Sequence, residues 1–312
     1  MSTMENDVKD FDIAVLGCGL MGSALARALS ASGHSVAAWN RSPAKAQALA
    51  ASGITPFAEL AEAVERSRLV LACTSTYETT RSALRQIDNW TGTTLINVGS
   101  GTPDQVESMA AWADERNVPY LDGAILCYPD QLGTPAGAVL FSGPAQTWHA
   151  HQNLLDSLGR ALHVSSHVRG ACIVDGAMTG GFYISSLAAY VEAATFALGQ
   201  GLTAADLAAA TQIFLDLLGN KTAEVAREIE AGQHETDQAT ISVFAAGARM
   251  CVATMQEAGH HARMIEAATR SLTAAEEAGL GDLGFSAQTR TAATVPQSPT
   301  QSNSSLFLTD SL

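Results

Sequence analysis

The sequence predicts an α/β fold in its first half and an all-α fold in its second, and three observations carry that prediction. Apolar or β-branched runs alternate with helix-like stretches over roughly the first 165 residues, the pattern of a parallel sheet covered by helices on both faces. One such run leads directly into Gly17-Cys18-Gly19-Leu20-Met21-Gly22, and a helix-like stretch begins at once. Beyond Val168 the alternation stops: Gly170–Gly199 holds only two acidic residues, Asp175 and Glu192, and no Lys or Arg.

In chain order, strands are expected at 12–16, 35–39, 69–73, 94–98, 119–121 and 138–142, with 161–164 closing the sheet. Residues 21–32 and 44–52, lying between strands, have helical spacing and few breakers. The Ala-rich stretch from 168 to 199 reads as one long helix, apolar nearly all round. Such a helix must be buried on several sides, by a bundle or by a partner subunit. Further helices are expected at 203–231, 237–258 and 262–278, and the Thr-, Ser-, Gln- and Pro-rich residues 288–312 as a flexible tail. The expected domains are therefore 1–166, 167–287 and the tail 288–312.

Composition narrows the function. The 312 residues are 47% hydrophobic and 15% charged, enough core material for two domains. A net charge of −14 repels phosphodiesters and anionic lipid, so neither nucleic acid nor membrane is an expected partner. No run of eighteen uncharged apolar residues stands out as a spanning helix, and the acidic N-terminus lacks a signal-peptide pattern. Five scattered cysteines without a CxxC read as reduced thiols of a cytoplasmic protein. His149 with His151, and His260 with His261, lack a second ligand pair, so no metal is expected. Asp122 and Asp130 read as solvated loop residues, and Glu192 as a buried carboxylate of a dimer core.

The glycine run points to a dinucleotide. In a Rossmann domain, Gly17 allows the tight turn, Gly19 lets a pyrophosphate approach the backbone, and Gly22 permits close helix–strand packing. The phosphates then meet unpaired amides at the positive helix end. At the end of the second strand, where an NAD site usually places a carboxylate, the chain reads Asn40-Arg41-Ser42-Pro43-Ala44-Lys45. Two cations and no acid match a 2′-phosphate, which selects NADPH over NADH; a solvated basic turn is the alternative. Thr74-Ser75-Thr76 and Asn97-Val98-Gly99-Ser100-Gly101-Thr102-Pro103 follow strands at their carboxyl ends. Each can face a nicotinamide ribose or serve as an ordinary cap.

With those motifs in view, residues 11–285 resemble the imine reductases and reductive aminases, relatives of the β-hydroxyacid dehydrogenases. Four stretches carry the resemblance: GCGLMGSALARAL, WNRSPAKA, INVGSGTPDQ and YLDGAILCYPDQLGTPAGAVLFSG. The last is the most specific, since the hydroxyacid dehydrogenases carry a D-A-P-V-S-G-G run there. The resemblance implies a Rossmann domain, a long interdomain helix and an all-α, 6-phosphogluconate dehydrogenase-like C-terminal domain, interlocked in a homodimer. It also implies cofactor contacts at Gly17, Gly19, Leu20, Met21, Gly22, Asn40, Arg41, Ser42, Lys45, Thr74, Ser75, Val98, Ser100 and Ala124. The substrate pocket it implies is formed by Ser100, Leu126, Met178, Thr179, Phe182 and Phe214.

The catalytic candidates come from the start of the long helix. Hydroxyacid dehydrogenases place a lysine in a G-x-x-x-x-K stretch; here the matching run is Gly170-Ala-Cys-Ile-Val-Asp175. Imine reductases commonly carry an acid at that point, and some reductive aminases add a Tyr eight residues on, where Tyr183 stands. An acid suits C=N reduction, because it can balance an iminium charge or, with its pKa raised, donate a proton to nitrogen. Taken without the resemblance, Asp175 could equally be a helix-start residue favoured by the dipole, and Tyr183 a packing aromatic. The expected function is therefore NADPH-dependent reduction of imines or iminium ions, cyclic ones included, with reductive amination as an extension. Hydroxyacid oxidation and non-catalytic NADPH sensing are the alternatives.

Overall fold

Strand β1 (Phe11–Leu16) sends Ile13 and Val15 to one face of a sheet and Ala14 and Leu16 to the other, and all four are buried. A strand covered on both faces has to be apolar at consecutive positions. Ile13 and Val15 join Leu25, Leu29, Phe141 and Trp148 in one core. Ala14 and Leu16 join Leu60, Val64, Leu84 and Trp112 in a second. The helices that cover the two faces are α1 (Leu20–Ala31), α2 (Pro43–Gln47), α3 (Leu60–Glu65), α4 (Tyr77–Leu84), α5 (Pro103–Asp114) and α6 (Ala145–Leu155).

The computed structural model describes residues 9–292. After β1 come β2 (Val36–Trp39), β3 (Thr55–Pro56), β4 (Ser67–Ala72), β5 (Thr94–Asn97), β6 (Tyr120–Ile125), β7 (Ala138–Ser142) and β8 (Arg160–Ser165). Their order across the sheet is β3-β2-β1-β4-β5-β6-β7-β8. The direction of winding reverses at β1, so the glycine turn opens at the switch point, where such sheets bind ligands.

Three local expectations are corrected. The sheet is not parallel throughout, because β7 runs antiparallel to β6. Between those strands lies only a short 3₁₀ turn, Pro129–Gln131, and a parallel return needs a longer crossover, usually a helix. The strand expected at 119–121 extends through Ile125 and so takes in Asp122 and Gly123, which interrupt its apolar run. The helix expected at 44–52 splits into α2 and the 3₁₀ turn Ala50–Ser52, and the two-residue β3 had not been expected.

The long helix, Gly170–Gly199, is present but not regular: its segment Gly176–Ile184 is π-helical. Three glycines, at 176, 180 and 181, weaken α-helix there, and π segments recur at functional sites. By length and composition this helix is also apolar enough to cross a membrane, which corrects the expectation that no segment is. Its two charged residues have protein partners or a cavity to face. Glu192 accepts from the backbone amides of Met264 (3.0 Å) and Ile265 (3.3 Å), capping helix Arg263–Glu277. The carboxylate is therefore half-buried and paired within its own chain.

The described chain divides into two compact units between Tyr183 and Ile184, later than the boundary at 166 expected from composition. In the second unit, helix Ala204–Ala231 opens on a reciprocal Thr203–Asp206 cap, and Ile241–Glu257 opens on Thr240. The core of this unit is small and Ala-rich, built on Ile241, Ala245, Ala248, Leu272 and Ala275. Ile213, Phe214, Leu215 and Leu217 stand exposed on helix Ala204–Ala231. Residues 285–292 of the second unit are helical, so the first residues of the expected tail are ordered; the remainder, and the acidic residues 1–8, lie outside the described residues.

Candidate active site

The turn after β1 is built as its glycines require. Gly17 has φ +96°, a backbone conformation that side chains disfavour, and a Cβ there would strike the Cys73 carbonyl oxygen. A Cβ on Gly22 would strike the carbonyl oxygen of Gly17, so α1 packs against the turn only because that residue is glycine. Gly19 is different: a Cβ there meets nothing within 4 Å. As N-cap of α1 it offers no side-chain cap, leaving the first amides of the helix open to an anion. Leu20 is exposed beside it, and Met21 is half-buried.

Asn40 ties the second-strand turn to this loop. Its Oδ1 accepts from the amide of Cys18 (2.9 Å), and its Nδ2 donates to the Ser42 carbonyl (3.1 Å). Arg41, Ser42 and Lys45 are exposed, and among the described residues neither cation forms an ion pair. The Lys45 charge reaches the Cys18 thiol, although burial dominates there and pushes that thiol up to about 11. An open helix end, a turn that admits no side chain at Gly17 or Gly22, and two cations after the next strand that have no ion pair among the described residues fit a phosphorylated dinucleotide.

Next to the turn, a cavity of about 380 Å³ opens at the carboxyl ends of β4, β5 and β6. It brings together Met21, Thr74, Ser75, Val98, Ser100 and Ala124 from the expected cofactor set, and Asp175 and Thr179 from the start of the long helix. Asp175 is half-buried, the last α-helical residue before the π segment. A larger cavity in the second unit, about 630 Å³, is lined by Val225, Ile229 and Phe285 with Arg270 as its one titratable group, so volume alone does not locate the site.

The other expected residues are placed elsewhere. Leu126 packs beside the Ala124, Leu140 and Ala171 cluster. Met178 and Phe182 are exposed on the π segment and are not part of the cavity wall. Phe214 belongs to the second unit, exposed on helix Ala204–Ala231. Tyr183 lies outside the wall as well. Its hydroxyl is 3.4 Å from that of Tyr128, and this hydrogen bond raises its pKa. The eight-residue step from Asp175 to Tyr183 runs through the π segment, not through regular α-helix.

Residues not anticipated complete the wall. Asp122, expected in a solvated loop, is wholly buried on β6; its Oδ1 accepts from the hydroxyls of Tyr77 (2.5 Å) and Tyr120 (3.0 Å). Burial pushes its carboxyl up to about 7, against the lowering effect of the two phenols. Both phenols are in turn raised, first by burial and then by the carboxylate. The Asp122 Oδ2 has no hydrogen-bond partner, nor does Nδ2 of Asn97, its register partner on β5. A Cβ on Gly101 would strike the Tyr77 ring, so the loop after β5 lies directly on that phenol. Cys172 donates to the Gly101 carbonyl (3.0 Å), and its thiol is raised by burial and then by Asp122 and Asp175. Both carboxyls are thus within electrostatic reach of one sulfur. The available signal for Asp122 is an acid between leucine and glycine, two residues after a tyrosine, inside an otherwise apolar run.

Comparison with known proteins also divides the chain in two, at residues 171–174. Residues 12–174 match the NAD binding domain of 6-phosphogluconate dehydrogenase, and residues 171–293 match the C-terminal domain of NADPH-dependent reductive aminase-like proteins. The chain is 31% identical to an imine reductase from Pseudomonas sp., covering 91% of this chain and 99% of that one, with a TM-score of 0.83. An imine reductase from Myxococcus stipitatus, solved in complex with NADP+, is 27% identical, with 89% and 98% covered and a TM-score of 0.81. An NADPH-dependent reductive aminase from Aspergillus oryzae is 25% identical over 258 residues, 81% of this chain and 87% of that protein.

Proposed function

Since the chain belongs to the imine reductase and reductive aminase family of oxidoreductases, we propose that it reduces the C=N bond of imines and iminium ions, cyclic ones included, with NADPH. Assembly of an amine from a carbonyl compound and an amine is part of the same reading. The observation that carries it is a carboxylate, Asp175, in the wall of a cavity that holds no lysine. The chain has three lysines in all. Lys9 bonds the Glu65 carbonyl and Thr93, Lys221 pairs with Glu224, and Lys45 follows β2 in the nucleotide turn. Hydroxyacid oxidation needs a base on the alcohol oxygen, and no lysine is available for that task.

Bound NADPH supplies the hydride for the C=N carbon. The chain's own groups do the rest. The open amides at the start of α1 hold the pyrophosphate, and Arg41 and Lys45 hold the 2′-phosphate. Asp175 serves the nitrogen, balancing the charge of an iminium or giving a proton to a neutral imine. Thr74, Ser75 and Ser100 line the approach as neutral polar groups. The working unit in this reading is a cytoplasmic homodimer. Its support is apolar surface left exposed on Gly170–Gly199 and Ala204–Ala231, where Tyr190, Val191, Ile213 and Phe214 all face outward, together with five free cysteines.

The test is a panel assay following NADPH absorbance with 1-pyrroline, 2-methyl-1-pyrroline, a dihydroisoquinoline, a ketone plus amine, and 3-hydroxyisobutyrate with NADP+. Turnover of the imines and of the ketone with amine, and none of the hydroxyacid, is expected. Turnover of the hydroxyacid alone would replace this reading, and binding of NADPH without any turnover would favour a sensor. A stable folded monomer in light scattering would defeat the dimer.

A further inference from the structure

Asp122 is the one buried acid in the cavity wall, and the reaction as proposed leaves it unused. It has no exposed surface, its Oδ2 has no partner, and the titratable groups facing it are Tyr77 from α4, Tyr120 from its own strand and Cys172 from the long helix. Asn97 on β5 and Ser142 on β7, its register partners, are neutral. Asp175, the other carboxyl of the wall, bears on the same Cys172 thiol. None of these groups is a cation. A carboxylate at this position is therefore a buried charge without a counter-ion, which a low-dielectric interior resists.

The cavity itself receives cations. An iminium substrate carries a positive charge, and hydride transfer moves that charge to the nicotinamide ring without changing the total. We propose that Asp122 is the charge-responsive group of the cavity: it keeps its proton while the cavity holds no cation and gives it up when an iminium ion or an oxidised nicotinamide ring is bound. This rests on the NADPH reading above.

The two phenols prepare the change. Both donate to Oδ1, a geometry that favours the ionised carboxyl, while enclosure favours the neutral one. The balance leaves the carboxyl at about 7, where a modest field moves the proton. An opposite charge within ~4–6 Å lowers a carboxyl pKa by roughly 1–3. By linkage, a cationic ligand that displaces this proton binds more tightly as pH rises through the free-enzyme value, and a neutral ligand does not. Among the described residues no donor reaches the buried Oδ2, so no protein hydrogen bond holds the negative charge on that oxygen.

NADP+ and NADPH make the comparison clean, because they share the 2′-phosphate and differ in ring charge. Calorimetric titration of each, in two buffers of different ionisation heat, measures both affinity and proton release. The affinity for NADP+ relative to NADPH is expected to rise roughly tenfold between about pH 6 and about pH 8, with protons released only by NADP+. Asp122→Asn should flatten that rise, whereas Asp175→Asn should keep it. Tyr120→Phe removes one donor to the ionised carboxyl, so the rise should move to higher pH; this arm decides if Asp122→Asn fails to fold. A flat ratio in the parent protein, a rise that survives Asp122→Asn, an unmoved rise in Tyr120→Phe or loss of the rise in Asp175→Asn each overturns the proposal. Binding of neither nucleotide would overturn the NADPH reading, and this inference with it.

Discussion

The two units of the chain use apolar residues in opposite ways. In the α/β unit, Ile13, Leu25, Leu69, Leu71, Leu95 and Phe141 are wholly enclosed, on two faces of one sheet. In the helical unit the enclosed core is mostly alanine, while Ile213, Phe214 and Leu217 are 69%, 67% and 61% exposed. An apolar strand between two helix layers is satisfied by its own chain. An apolar face on a long helix is satisfied only by something laid against it, so the same composition marks a core in one unit and an uncovered face in the other. Chemistry follows the first kind of region: the glycine turn and the cavity with its two carboxyls all belong to the self-contained unit.

The strongest way to break that assignment is at Asp175. General acid–base groups contribute on the order of 10²–10⁴-fold, so Asp175→Ala should lower kcat by that factor with NADPH affinity nearly unchanged. Asp175→Asn separates the roles. If the residue donates a proton, a preformed iminium suffers less than a neutral imine; if it balances charge, both suffer alike. Near-full activity of Asp175→Ala on every imine would reduce the residue to a helix-start carboxylate.

Paired truncations sharpen the structural half of the comparison. Phe141 is fully buried and packs on Trp148 with ring centroids 5.4 Å apart, so Phe141→Ala should cost about 3–5 kcal/mol and lower Tm accordingly. Phe214→Ala should change the stability of the dilute chain by roughly 0.5 kcal/mol or less, yet weaken self-association measured by light scattering. Equal losses of stability at the two sites would erase the distinction between the units.

How legible each unit was in the sequence follows from the same contrast. The glycine turn could be read because backbone sterics allow no other residue at Gly17 and Gly22. Strands β1, β2, β4, β5 and β7 announced themselves as apolar runs. Strand β6 does so only over its first residues, because Asp122 and Gly123 break its run, and its antiparallel pairing with β7 depends on the short connection between them. In sequence Asp122 reads as a solvated residue, since only the fold brings Tyr77 to it from 45 residues away. Helix boundaries in the second unit were off by a few residues where a cap decided them: 237 was expected, but Thr240 caps at Ile241. The π segment has only its three glycines as a sequence signal.

Nucleotide choice should reside wholly in the self-contained unit, and the effect there is intermediate. Arg41 is exposed and, among the described residues, forms no ion pair, so its guanidinium is available to a 2′-phosphate. A charge-assisted contact corresponds to roughly 10- to 150-fold, so Arg41→Ala should lower kcat/KM for NADPH by that factor and leave NADH almost unaffected. Equal losses with both cofactors would return Arg41 to a merely solvated turn. No preference for NADPH in the parent protein would end the argument from this turn.

The smallest expected effect tests where the self-contained unit stops. Tyr183 is its last residue, 45% exposed, and its hydroxyl has one protein partner, the hydroxyl of Tyr128 at 3.4 Å. Both phenols lie away from the cavity wall, so a part for Tyr183 in the chemistry requires it to be held in position rather than enclosed. Tyr128→Phe removes that hold while keeping the ring. The hydrogen bond raises the pKa of Tyr183, so its loss should let Tyr183 ionise at lower pH, visible as an earlier rise in phenolate absorbance. A long, exposed hydrogen bond between neutral groups is weak, and kcat on imines should fall only roughly twofold to tenfold, with KM for NADPH unchanged. Tyr183→Phe should then lose about as much by itself, and the double variant no more than either single one, because both act through a single contact. Full activity in Tyr183→Phe would remove the tyrosine from the mechanism and leave Asp175 as the only acid the reaction needs.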